Sequence, residues 1–165
     1  MPSVYTGGTF YFREEKNMKN NIDVKIKKLN KNAVIPSYGT DYSCGCDLYA
    51  CISDDIVIKP QCTEMIPTGI SVQFPNDVAC LIMARSGISC KRDLAPANKV
   101  GLIDSDYRGE IMVALHNHGY VDRVIKKDER IAQMFFVPYY HATFIETNVL
   151  DETDRNFGGF GSTGN

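Results

Sequence analysis

Thr63-Glu-Met-Ile-Pro-Thr-Gly-Ile-Ser-Val-Gln-Phe-Pro-Asn-Asp-Val-Ala-Cys-Leu-Ile-Met-Ala84 holds three short apolar runs separated by two turn signals. Residues 63–66, 69–74 and 79–84 read as strands, and Pro67-Thr68-Gly69 and Pro75-Asn76-Asp77 read as the turns between them. The same pattern extends outward in both directions. Residues 22–29 alternate apolar and polar, as a half-buried strand does. Further runs cover 47–51, 55–58, 99–103, 110–116, 121–125, 130–137 and 142–146, with Lys59-Pro60 and Asn117-His118-Gly119 as punctuation. Many short strands at this spacing predict an all-β barrel or sandwich. One short helix is expected near 86–92. No internal repeat or long linker divides the chain, and 165 residues suffice for one domain with its own core.

Hydrophobic content of 44% argues against disorder, and a net charge of -2 gives no support for duplex nucleic-acid binding. No apolar run approaches a membrane span, and the N-terminus lacks a basic-then-apolar signal pattern, so the expectation is a cytoplasmic protein with no membrane partner. The six cysteines (44, 46, 51, 62, 80 and 90) lack the paired spacing of a zinc site and are expected to be small buried thiols. Residues 1–17 carry no sustained period. They are expected to form a leader, either without fixed structure or arising from an upstream start codon, with a strand over Thr9-Phe-Tyr-Phe12 as the alternative.

Five sites could carry chemistry. The end of the chain, Arg155-Asn-Phe-Gly-Gly-Phe-Gly-Ser-Thr-Gly-Asn165, combines a guanidinium, hydroxyls and glycines whose N–H groups can approach an anion closely. Asp104 and Asp106, in Gly101-Leu-Ile-Asp-Ser-Asp-Tyr-Arg-Gly-Glu110, are expected at a hairpin tip, either as a general base or as turn-capping side chains. Arg85-Ser86-Gly87 lies where a strand meets the short helix, offering an anion site or simply an N-cap by Ser86. Asp47 could hold a hard cation or end a turn, and Gln133 is a polar amide on an apolar strand. Two decoys fall away. Gly159-Phe-Gly-Ser-Thr-Gly164 matches a dinucleotide fingerprint in letters only, because the chain ends one residue later. His116-Asn117-His118 reads as a strand end.

Taken in order, these clusters resemble the five motifs of the trimeric dUTP diphosphatases (dUTPases). The motifs are Cys44-Gly-Cys-Asp47-Leu, Ala84-Arg-Ser-Gly87, Gly101-Leu-Ile-Asp104-Ser-Asp-Tyr107-Arg-Gly, Asp128-Glu-Arg-Ile-Ala-Gln133, and residues 155–164. Asp128 and Asn156 stand where that family usually has Gly, and Cys44 and Cys46 replace an Ala and an aromatic residue. The resemblance implies a jelly-roll-like β barrel over 18–150, a homotrimer with C-terminal arm exchange, and a Gly-rich lid over 151–165. It implies hydrolysis of dUTP to dUMP and pyrophosphate with Mg²⁺, which keeps uracil out of DNA and supplies dUMP for thymidylate synthesis.

By that similarity Asp104 is the general base, and Tyr107 packs on deoxyribose. Asn98 and the backbone of Leu102, Ile103 and Met112 read uracil. Arg85, Ser86, Gly87 and Gln133 hold phosphates. Arg155, Gly161, Ser162 and Thr163 grip the far end of the triphosphate, Phe160 stacks on the base, and Asp47 meets Mg²⁺ through water. A dCTP deaminase shares the fold, but its catalytic Glu aligns with Ala114. A non-catalytic nucleotide-binding regulator is the alternative from another class, and a purely structural trimer would not need the Gly-rich tail.

Overall fold

The computed structural model describes residues 21–159. The leader expected over 1–17, its alternative strand at 9–12, and Phe160, Gly161, Ser162 and Thr163 lie outside the described residues. The strands, in chain order, are β1 (Lys25–Lys28), β2 (Ser37–Tyr38), β3 (Cys46–Tyr49), β4 (Ile56–Ile58), β5 (Thr63–Pro67), β6 (Ile70–Gln73) and β7 (Val78–Met83). They continue after the helix α1 (Ser86–Arg92) with β8 (Leu94–Pro96), β9 (Gly101–Ile103), β10 (Met112–Asn117), β11 (Arg123–Ile125) and β12 (Arg130–Pro138). The largest sheet runs β2-β3-β12-β7-β9, a second runs β5-β10-β8, and β1-β6 and β11-β4 form two-stranded ribbons. Every pairing is antiparallel.

The elements follow from the side chains. β7 alternates buried Val78, Cys80 and Ile82 with half-buried Ala79, Leu81 and Met83, as a strand with one face on a core must. β12 lies between β3 and β7 and is apolar over nearly its whole length; Pro138, which has no N–H, ends it. The core joins Leu48, Ile66, Ile70, Leu94, Ile111, Leu115, Ile131 and Met134, all at most 1% exposed. Asn117 is fully buried among them, and its side chain is satisfied: Nδ2 donates to the Ile58 and Val121 carbonyls, and Oδ1 accepts the Gly119 N–H.

Consecutive strands often change sheets, and this gives the fold its jelly-roll character. β5 and β6 join through Gly69, whose φ is +70 and whose missing Cβ would lie 2.7 Å from Cys51 Sγ, so glycine alone fits. β9 pairs with β7 whereas β10 pairs with β5 and β8, so Asp104 and Asp106 lie on a crossover between sheets and not at a hairpin tip. β10 has both edges occupied, which leaves no place for β9 beside it.

Other expectations are also corrected. Residues 142–146 form no strand: no sheet edge pairs with them among the described residues, and Phe144 and Ile145 are 95% and 83% exposed. Arg85, not Ser86, occupies the helix N-cap, in extended conformation and without a side-chain cap bond. The thiols are free, but only Cys46 and Cys80 are buried; Cys44, Cys62 and Cys90 are exposed. Burial pushes the Cys80 thiol up to about 12, which keeps it protonated and unreactive. Two short elements, β2 and β8, carry no strand signal. Asp128 and Asn156 adopt left-handed backbone (φ 58 and 40), the conformation that glycine takes most readily and that Asp and Asn tolerate best.

Asn117→Ala leaves the buried Ile58 carbonyl and the part-buried Val121 carbonyl without their donor. The expected loss is about 3 kcal/mol in urea unfolding, and a loss within experimental error would show that water reaches those carbonyls.

Candidate active site

The β3-β12-β7 ladder builds one end of the site. Gln133 stands opposite Asp47 on one side and Met83 on the other, two residues before Arg85. A register shift between Arg130 and Ala132 marks a bulge at this end of β12. Arg85 Nε donates to Asp47 Oδ1 at 2.6 Å and Arg130 Nη1 donates to Asp47 Oδ2 at 3.2 Å. One carboxylate thus orients two guanidiniums that would otherwise repel. Gln133 Nε2 donates to the Ala84 carbonyl at 2.9 Å. Gly45 lies so close that an added Cβ would come within 3.0 Å of Gln133 Oε1. Asp47, Arg85, Ser86, Arg130 and Gln133 line an open cavity of about 340 Å³, with Ser43 and Cys44 on its wall. Gly87 follows on the exposed first turn of α1. Arg130 was not singled out from sequence. Its place within a motif beside Gln133 was the available signal, and the bulge and shared carboxylate are tertiary facts.

The second half lies elsewhere. Ile103 pairs with Cys80, so Asp104 continues toward Ala79 at the opposite end of β7 from Arg85. Six residues of extended chain separate those positions, about 20 Å. Asp104 lines another cavity of about 470 Å³ with Asp106, Leu102, Ile103, Tyr139 and His141. The two cavities have no residue in common.

The positions expected to read the base lie on β9, just before it and at the start of β10. The Ala97 N–H donates to the Ala114 carbonyl, which brings Asn98 beside the start of β10, and Asn98 Nδ2 lies against Gly101. Leu102, Tyr107 and Met112 are exposed at 62%, 44% and 39%. Ala114, on β10 opposite Met65, offers no acid.

Arg155 is exposed and donates from Nε to the Gly158 carbonyl within its own turn. His116 Nδ1 and Thr63 Oγ1 share a hydrogen bond near the end of β10, and the ring packs edge-on with His118. Burial, the neighbouring His116 and Lys99 lower the His118 pKa, against a smaller opposing effect from Asp93. Among the described residues no group of three or more His, Cys, Asp or Glu side chains could hold a metal ion, and no helix is long and apolar enough to cross a membrane.

Fold and site together define an antiparallel β protein with a pocket lined by two arginines and an aspartate at one end of its main sheet and an acid-bearing crossover at the other. The dUTPase family model matches residues 31–164. Two bacterial relatives carry the name deoxyuridine 5'-triphosphate nucleotidohydrolase. The one from Syntrophotalea carbinolica is 41% identical over 143 residues, 87% of this chain and 97% of the relative. That from Rickettsia typhi is 46% identical over 144 residues, again 87% and 97%. Among solved structures, a variant of the Staphylococcus bacteriophage 80alpha dUTPase with dUpNHpp superposes with a TM-score of 0.78 at 25% identity, covering 86% of this chain and 98% of that one. The chain belongs to the dUTPase family.

Asp47→Ala leaves Arg85 and Arg130 without their shared counter-ion. Because Asp47 is only 13% exposed while Arg130 is 52% exposed, a loss of about 1–2 kcal/mol is expected. Adding Arg85→Gln should recover part of it; strictly additive losses would show that the carboxylate does not orient Arg85.

Proposed function

We propose that the protein hydrolyses dUTP to dUMP and pyrophosphate, with Asp104 as the general base for the water that attacks the α-phosphorus. Membership of the dUTPase family carries this reading. The cationic pocket at Arg85 and Gln133 supports it by offering a place for phosphates, and Arg130 adds a further donor there. The exposure of Asn98, Leu102, Tyr107 and Met112 supports base and sugar recognition. Tyr107 against deoxyribose would leave no room for a 2′-OH, and the uracil edge would be read by Asn98 with the backbone of Leu102, Ile103 and Met112.

The active site is shared between subunits of a homotrimer. What supports this is the separation of the two halves along β7, too great for one triphosphate to be held and attacked by a single chain. Residues 18–150 would be the barrel and 151–165 the lid. Arg155, Phe160, Gly161, Ser162 and Thr163 would close over a neighbour's substrate, exclude bulk water and fix the line of attack.

Mg²⁺ fits as an ion carried by the substrate. Both oxygens of Asp47 face arginines, so the residues suit contact through water and not an all-protein cage. Bound there, the ion supplies charge neutralisation across the phosphates. Arg85 can turn from Asp47 to a phosphate oxygen, Gln133 can donate to another, and Asp104 takes the proton from water. We place the enzyme in the cytoplasm, with no nucleic acid or membrane as partner.

With Mg²⁺, pyrophosphate release from dUTP should far exceed that from dCTP, dTTP or UTP; ammonia from dCTP would instead identify a deaminase. Asp104→Asn should keep nucleotide binding while turnover falls by about 10²–10⁴, and comparable turnover would remove Asp104 from the role. A chain ending at Asp154 should lose most turnover yet remain trimeric by light scattering, and unchanged kinetics would refute the lid.

A further inference from the structure

We propose that Glu110 is a positioning residue for Tyr107 and so contributes to sugar discrimination; this rests on the reading of Tyr107 as the deoxyribose contact. Glu110 is half-buried at the end of the crossover. Its side chain and its backbone bind in different directions. The carboxylate Oε1 accepts the Gly69 N–H at 2.7 Å, tying the crossover to the β5–β6 turn. The Glu110 carbonyl accepts the Tyr107 hydroxyl at 3.1 Å. One residue therefore links the tyrosine ring to a buried turn in the neighbouring sheets.

The turn is a rigid anchor. Gly69 is buried, and its own carbonyl accepts the Leu29 N–H at 2.7 Å. The Ser71 hydroxyl donates to the Arg108 carbonyl and the Ile111 N–H donates to the Ile70 carbonyl, both at 2.9 Å, so the crossover is fastened on either side of Glu110. At the other end the Tyr107 ring lies directly over Gly109, where any Cβ would overlap its hydroxyl and Cζ. The ring is held from below by glycine and at its tip by the Glu110 carbonyl, leaving it 44% exposed toward solvent. The Tyr107 N–H also donates to the Asp104 carbonyl at 3.1 Å, so the same anchor steadies the acid-bearing part of the loop.

Removing the carboxylate leaves the Gly69 N–H without its acceptor and loosens the Glu110 backbone between its remaining fastenings at Arg108 and Ile111. A ring that can tilt away admits a 2′-OH. The effect should therefore appear in the preference for dUTP over UTP before it appears in folding.

The test compares kcat/KM for dUTP and UTP in the full-length assembled protein, with thermal unfolding measured alongside. Glu110→Ala should lower the dUTP/UTP ratio about tenfold. Glu110→Gln keeps an oxygen able to accept the same N–H and should restore most of the ratio. Tyr107→Phe breaks the other half of the link at an exposed position and should lower the ratio by about threefold, which keeps the proposal testable even if Glu110→Ala fails to fold. An unchanged ratio in Glu110→Ala or Tyr107→Phe, or a Gln variant as poor as Ala, would overturn it. Tyr107→Ala separates the two readings. If it keeps full selectivity, the sugar contact itself is wrong; if it loses selectivity while Glu110→Ala does not, only the positioning role fails.

Discussion

The ladder that β12 makes with β3 and β7 determines where each charged group of the site can lie. Its register sets Gln133 between Asp47 and Met83, and that alignment brings Arg85 within reach of the Asp47 carboxylate. The same register, continued through β7 to β9, sends Asp104 to the far end of the strand. A one-residue slip would turn each of these side chains to the opposite face and move apolar β12 residues out of the core. Packing against the core and placement of Asp47, Arg85 and Gln133 are thus fixed by one set of backbone hydrogen bonds.

Division of the site follows from that geometry. On the proposed reading, a chain that gathers its cations at one end of a strand and its acid at the other would not hold and attack one triphosphate by itself. Association of like chains is the economical remedy, since each protomer would offer one half to a different neighbour. The exposed apolar side chains beyond β12, including Phe144, Ile145, Val149 and Leu150, are consistent with a segment that finds its partner on another subunit. Asp47 keeps Arg85 and Arg130 oriented in the pocket they line, an arrangement that on the proposed reading suits exchange with phosphate oxygens.

Most of the strands, the short helix and the order of the motifs were legible from local signals. Proline and glycine punctuation marked the turns, and apolar runs marked the strands. Several errors share one cause, because partner choice is nonlocal. The sequence around Asp104 resembles a hairpin since two strands flank an acidic turn, yet β10 finds both its neighbours elsewhere. Residues 142–146 have strand composition and no edge to join. Ser86 has a capping side chain, but the arginine before it is drawn to Asp47 and takes the cap position. β2 and β8 are too short to produce a periodic signal.

What the amino-acid order alone determined is the chemistry available: a carboxylate beside a tyrosine, arginines near small residues, and a glycine-rich end that carries an arginine and two hydroxyls. It also determined that the chain would fold as antiparallel strands, since period and turn chemistry are properties of neighbouring residues. Tertiary structure decided which of those groups meet. Arg130 joined Asp47 through a bulge, Glu110 reached Gly69 across a change of sheet, and Asp104 parted from Arg85 along β7. Those outcomes depend on register and on which strand edges are already occupied, and neither is encoded within any short stretch of the chain.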